Sequence, residues 1–495
     1  MRAFGRALWW TLVVTHRYLG VAVCLLMAMW FGSGIVMMYV GFPQLTEAKR
    51  TAALSAVPWQ ECCRVSLRIG DDEQILRAQI ESLLGVPIVR LRRPGRPDLI
   101  VDLAEGAATR VDPERARAIA LDTAPRIIGA RADIRAIDVI DEDQWTVGRH
   151  LRDRPLYRFG FDDPKGTTLY VSAANGQIVL WTTAPQRFWN WFGSVPHWLY
   201  LTALRSDGPL WTQVMIWTAL LGTFLTVVGL VIGIVQFRRR DISPYRGLFY
   251  WHHLAGLVFG IVTLTWVFSG LVSMNPWGFL ESRGRGEQTL LQGRPLTWAQ
   301  VRTSLAALPA DLTPDIVSLT SAPYADNLYW LATHTDGRVR RLDSSGQPAP
   351  LSDGDLEDAA GRLAADRGIA DQGMRTTEDT YYFHRNDPLV LPVYRITLDD
   401  AERTRFYLDP TSGAFIQRTD AKRRWHRWLF SGLHRLDFTA TLRTRPLWDI
   451  VMIVLSLGGI GLSLTGCWLA IRRIRQDVAG LARRALGSEE TLRKA

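Results

Sequence analysis

Four stretches of the chain contain no Asp, Glu, Lys or Arg: Tyr18–Thr46, Gly208–Phe237, Gly247–Leu280 and Ile450–Ile471. A helix needs roughly 20 residues to cross a hydrocarbon core about 30 Å thick. The pattern therefore predicts four transmembrane helices, at 8–43, 208–237, 247–280 and 447–471. Between and after them lie two long polar segments (44–207 and 281–446), a basic loop (238–246) and a basic tail (472–495). Within the long segments the period changes. Residues 112–127, DPERARAIALDTAPRI, have helical apolar spacing. Tyr157–Phe161, Leu169–Val171 and Ile178–Leu180 read as strands, the last two joined by the turn signal Asn175-Gly176. The second segment repeats this order, with a helix near 355–366 and strands near 393–398, 405–408 and 414–417. Upstream of each module, 65–110 and 297–345 have a helix-then-strand rhythm.

The likeness of the two halves reaches single residues. At an offset of 237, RFWNWFGSVPHWLYL (187–201) aligns without a gap on 424–438, so that Trp191 meets Trp428 and His197 meets His434. Tyr157-Arg158 meets Tyr394-Arg395, Pro209-Leu210-Trp211 meets Pro446-Leu447-Trp448, and Gly222 and Gly229 meet Gly459 and Gly466. At an offset of 236, His16 meets His252, Trp30 meets Trp266, and Ser33-Gly34 meets Ser269-Gly270. The unit is helix, α+β domain, helix, used twice in the same orientation. Parallel repeats are arranged about a pseudo-two-fold axis along the membrane normal. The expected fold class is membrane α-helical, four transmembrane helices in two parallel repeats, with two extracytoplasmic α+β domains.

Charge sets the orientation. Arg2 and Arg6 precede the first helix, Arg238, Arg239, Arg240 and Arg246 fill the short loop, and Arg472, Arg473 and Arg475 follow the last helix. Short basic segments stay in the cytoplasm, which places both termini inside and the two long segments outside. The net charge of +10 is largely this topology signal, and no nucleic-acid motif accompanies it. Cys24 and Cys467 fall in predicted helices, and the adjacent Cys62 and Cys63 fall outside them. No C-x-x-C-H occurs, so nothing supports covalent haem attachment.

Of nine histidines, five lie in or beside the predicted helices: His16, His197, His252, His253 and His434. A ligating side chain at membrane depth is costly and points to function; the bland reading is a hydrogen-bonded interfacial residue. Two symmetric pairs shift that balance, because equivalent residues lie at equal depth on opposite sides of one axis. Facing imidazoles suit the axial positions of haem iron without any cysteine, whereas zinc wants three or four protein ligands. His16 with His252 and His197 with His434 are the expected ligands, with His253 as the fallback for His252. Arg17, Arg246, Arg435 and Arg443 are placed to neutralise propionates. His426 has Trp189 at its repeat position and reads as interfacial.

The chain resembles the PepSY-associated transmembrane family, which includes iron-regulated inner-membrane ferric-siderophore reductases. The residues that carry the resemblance are HRYLG (16–20), YYFHRNDPLVLPVYR (381–395), YLDPTSG (407–413), RWLFSGLHRLDF (427–438) and RPLWDIVM (445–452). It implies paired outer PepSY modules and b-type haem, about two per chain, held by intramembrane histidines. The chain departs from the family at Ser431, where members often carry a second His, which leaves His434 as the only candidate there. The function expected is a bacterial inner-membrane di-haem cytochrome that passes electrons to a ferric siderophore. No G-x-G-x-x-G follows a strand, so the electron donor is external: a membrane quinol or a cytoplasmic reductase. The rival class is a non-catalytic PepSY-type regulator, tied to iron or protease control, with structural histidines.

Overall fold

The computed structural model describes residues 2–494, with 68, 283, 285 and 385–388 excepted. The chain divides into a helical unit (Met1–Phe42, Phe188–Leu280 and Trp425–Ala495) and a β-rich unit (Pro43–Arg187 and Glu281–Arg424).

In the helical unit, Phe4–Met37, Gly208–Gln236, Leu248–Ser273 and Leu447–Gly480 are long and apolar enough to cross a membrane. They are spans 1 to 4 of a membrane protein. Four ends differ from expectation: the helix of span 1 already begins at Arg2, ahead of 8. Span 1 stops at Met37, short of 43. Span 3 stops at Ser273, short of 280, where Asn275 turns left-handed and Pro276 cannot continue a helix. The helix of span 4 passes 471 and runs to Lys494 through a segment rich in Arg, Ala, Leu and Glu, all strong helix formers.

Span 1 packs chiefly on span 4 and span 2 on span 3, so each repeat lends a helix to the other. Matched small-for-large contacts hold the pairs. A Cβ on Gly222 would meet the Val267 side chain at 2.9 Å, and one on Gly459 would meet the Phe31 ring at 2.7 Å. Val267 and Phe31 are themselves repeat mates. Residues 188–207 and 425–446, assigned to the outer segments from hydropathy, belong to the helical unit. They form short helices, among them Ser194–His197 and Leu433–Arg435.

The β-rich unit holds two copies of one helix-plus-sheet module. Helix Pro113–Ile128 is N-capped by Asp112 and closed by left-handed Gly129. It precedes a four-stranded antiparallel sheet of Ile134–Ile140, Leu156–Phe161, Thr168–Ser172 and Ile178–Thr182. The second copy is helix Asp353–Ala364, opened by a Ser352/Asp355 capping box, then Ile369–Arg375, Val393–Leu398, Arg405–Leu408 and Phe415–Thr419. The first strand of each sheet escaped the sequence reading. Both are edge strands with mostly exposed side chains, so a buried face never imposed apolar alternation on them.

Matched polar networks brace the two sheets. The Tyr170 hydroxyl donates to Asp143 at 2.8 Å while Arg158 bridges Asp138 and Asp143. The Tyr407 hydroxyl donates to Asp379 at 2.9 Å while Arg395 bridges Asp371 and Asp379. The upstream stretches build a third sheet of seven strands, to which the first segment contributes Arg77–Thr109 and the second Ile316–Leu342, joined where Arg77–Leu83 pairs with Ile316–Ser321. The expected helix-then-strand order holds in the second segment, with helix Trp298–Ala307. In the first it does not: 65–110 contains strands and no helix among its described residues.

Candidate functional site: two histidine pairs

The helical unit brings together both pairs of histidines singled out by the repeat. The rings of His16 and His252 have centres 6.4 Å apart, and those of His197 and His434 are 6.1 Å apart. We call these the first and second pairs.

The first pair projects from spans 1 and 3 onto matched glycines of spans 2 and 4. A Cβ on Gly229 would come within 2.6 Å of His16 Cε1, and one on Gly466 within 3.0 Å of His252 Cε1. Only glycine lets the imidazoles lie this close to the neighbouring backbone. Nδ1 of His16 faces the Leu225 carbonyl at 3.3 Å. Nδ1 of His252 lies 3.1 Å from Thr465 Oγ1, a hydroxyl that itself donates to the Gly461 and Leu462 carbonyls. A cavity of about 660 Å³ opens around the pair, with six glycines in its wall and Arg17, Arg472 and Arg473 along it.

The second pair sits on short helices outside the spans and meets spans 1 and 3 through identical partners. His197 Nδ1 is 3.1 Å from Ser33 Oγ and 3.1 Å from the Trp30 carbonyl. His434 Nδ1 is 3.0 Å from Ser269 Oγ and 3.3 Å from the Trp266 carbonyl. Each serine hydroxyl donates to the same tryptophan carbonyl.

The hydrogen bonding settles the tautomer at all four rings. A carbonyl accepts only, and a hydroxyl whose proton already serves a carbonyl accepts as well. Nδ1 must therefore carry the proton in each ring, which leaves the Nε2 lone pair available to a metal. Burial pushes the second pair well below the ordinary histidine range, His197 to about 4 against the opposing Trp30 bond, and His434 to about 3, assisted by His197 and Arg435. Both are neutral, the ligating state, at physiological pH.

Each second-pair histidine is followed, two residues on, by a left-handed leucine: Leu199 with φ 48° and Leu436 with φ 53°. That conformation is unfavourable for a side chain, and strain of this kind gathers at functional sites. Matched indoles pin it. Trp211 Nε1 donates to the Trp198 carbonyl and Trp448 Nε1 to the Arg435 carbonyl, both at 2.8 Å.

The remaining candidates divide. His253 donates through Nε2 to the Gly233 carbonyl at 2.8 Å and also lines the first cavity, but it is the His252 ring that stands against His16. Arg17 lines the first cavity, whereas Arg246 is exposed and does not. Arg435 stacks on Phe430, its guanidinium carbon 5.5 Å from the ring centre. Arg443 is held by the buried Asp437 carboxylate, which also takes Arg427 at 3.5 Å. Away from the spans, His334 bonds Asp315 at 2.9 Å and His150 lies 3.5 Å from Asp153. Hydropathy and repeats did not reveal the supporting shell of Ser33, Ser269, Leu225 and Thr465, nor Arg472 and Arg473 as cavity residues. The one available signal was the matched Ser-Gly dipeptide.

No protein-family model matches the chain, and no curated protein is detectably similar to it.

Proposed function

We propose that the protein is an inner-membrane di-haem b-type cytochrome of the PepSY-associated transmembrane kind, carrying electrons across the membrane to an external ferric siderophore. The spacing of the two histidine pairs carries this reading. With a metal–nitrogen bond of about 2.0 Å and a ring centre roughly 1.1 Å behind the nitrogen, one metal held between two facing imidazoles would set their ring centres about 6.2 Å apart. The pairs stand at 6.4 and 6.1 Å. Among the described residues no third His, Cys, Asp or Glu completes a metal-binding group. A bare zinc ion is therefore poorly served, while a metal that brings its own macrocycle is well served.

When bound, haem would supply a one-electron ferric/ferrous couple at each of two levels. The protein's own residues do the rest. The bonds that Nδ1 donates to Leu225, Thr465, Ser33 and Ser269 fix ring orientation and raise ligand basicity. Arg17, Arg472 and Arg473 set positive charge along the first cavity, suited to propionates. The flanking arginines orient both termini to the cytoplasm and the β-rich unit to the outside. Reduction of iron weakens its oxygen-rich chelation, which frees the metal from a siderophore. The donor is a separate quinol or cytoplasmic reductase.

The test is an absorption spectrum and haem assay of the purified protein before and after dithionite, beside His16→Ala and His434→Ala. We expect about two b-type haems per chain, one lost in each variant. A colourless protein that reconstitutes no haem would overturn the proposal in favour of a PepSY-type regulator.

A further inference from the structure

The second pair is symmetric in its partners but not in its surroundings. On the second half, the His434 ring lies on Phe430, centres 5.3 Å apart at 28°, and Phe430 in turn contacts His426 at 5.5 Å. These separations lie inside the about 4.5–7 Å range of aromatic rings in contact. The three rings form an unbroken ladder along one face of residues 426–434, through the π-helical turn Arg427–Gly432. Such turns gather at functional sites.

Among the described residues the first half sets no ring at the matching positions beside His197, and there is little room for one. Phe430 corresponds to Gly193 and His426 to Trp189. A Cβ on Gly193 would meet Val36 at 3.1 Å and the Trp189 carbonyl at 3.4 Å. The chain also breaks its helix there, with Gly193 at φ −104° and ψ −104°. His197 thus has serine, carbonyl and His434 for company, and among the described residues no ring leads from it away from the pair.

Resting on the di-haem reading above, we infer that electrons leave the second pair through the ladder His434–Phe430–His426, so that the acceptor is served from the second half alone. Rings in contact leave no gap along this path, and a tunnelling electron crosses packed atoms more readily than empty space. The step is a one-electron transfer, in which the second centre is oxidised and a ferric chelate is reduced to the ferrous state with no proton moved.

The experiment uses the full-length protein in lipid nanodiscs, reduced with dithionite and mixed with a ferric trihydroxamate in stopped flow. The variants are Phe430→Leu, Phe430→Tyr, His426→Ala and, in the first half, Trp189→Leu. We expect full haem content throughout, several-fold slower reoxidation in Phe430→Leu and His426→Ala, and native rates in Phe430→Tyr and Trp189→Leu. Electron paramagnetic resonance of the oxidised protein gives an independent readout. One of two low-spin signals shifts in Phe430→Leu, where the ring against His434 is lost, and neither shifts in His426→Ala. Should Phe430→Leu lose haem, His426→Ala, whose ring packs on Phe430, decides the matter. Native reoxidation in a fully loaded His426→Ala variant overturns the ladder and leaves the cytochrome reading intact. A native protein without haem overturns both.

Discussion

The two histidine pairs present the same chemistry on opposite construction plans. The first is built from within the spans: His16 and His252 lie on bare backbone at Gly229 and Gly466, beside a wide cavity. The second is built from outside them: His197 and His434 are carried on short helices, aimed by Ser33 and Ser269, and held by strained Leu199 and Leu436. The first pair is therefore vulnerable to added volume and the second to lost hydrogen bonds. The internal repeat matches the members of each pair, but the two levels position them differently.

Four sets of substitutions break or sharpen this contrast. Gly229→Ala has the largest expected effect, because its Cβ would sit 2.6 Å from His16. Overpacking of this kind costs about 1–3 kcal/mol, and the haem assay should show the first site lost and the second retained. Gly34→Ala and Gly270→Ala are the matched controls beside the second pair. Their Cβ atoms would meet ordinary contact at 3.6 Å or open space, so both variants should keep both haems.

Ser33→Ala combined with Ser269→Ala should act only on the second pair. Removing a supporting hydrogen bond from a ligating histidine lowers metal affinity by about 10–100-fold, which haem titration of the apoprotein would read. An unchanged affinity would show that the Trp30 and Trp266 carbonyls suffice to orient the rings.

Trp211→Phe or Trp448→Phe removes the indole bond that pins each left-handed turn. The loss of one such bond is worth about 1 kcal/mol. It should appear as lower thermal stability of the second site, followed by its Soret absorbance, with the first site unaffected. Equal loss at both levels would mean that the pins stabilise the whole helical unit.

The smallest effect is a gain. Leu199→Gly or Leu436→Gly places a residue tolerant of positive φ where a leucine is strained. Stability should rise by no more than about 1 kcal/mol in thermal unfolding. A marked loss instead would show that the leucine side chain, rather than its backbone, does the positioning.

Much of this molecule was legible in the chain. Spans, modules and the identity of both pairs followed from hydropathy and a repeat offset, because burial in lipid and duplication both leave periodic marks. The helix at 112–127 and the strands at 393–398 and 405–408 were legible for the same reason: one face is buried, and capping or turn residues mark the ends. The edge strands Ile134–Ile140 and Ile369–Arg375 were not, since exposed positions carry no such pattern. Nor were the roles of the arginines, because a long side chain reaches whichever partner the packing brings near. Arg443 met Asp437, while Arg472 and Arg473 came to line the cavity.

The sequence by itself determined that four apolar helices exist, that they come as two copies of one plan, and that four histidines are matched across it. These are local or periodic properties, set by composition and register along the chain. Only the tertiary structure decided that the matched imidazoles come within 6.4 and 6.1 Å of each other between ring centres, and which nitrogen of each ring takes a hydrogen bond. Those outcomes depend on contacts between residues more than 160 positions apart in the chain, such as Ser33 with His197 and Ser269 with His434, and close packing of the spans is what brings such residues together.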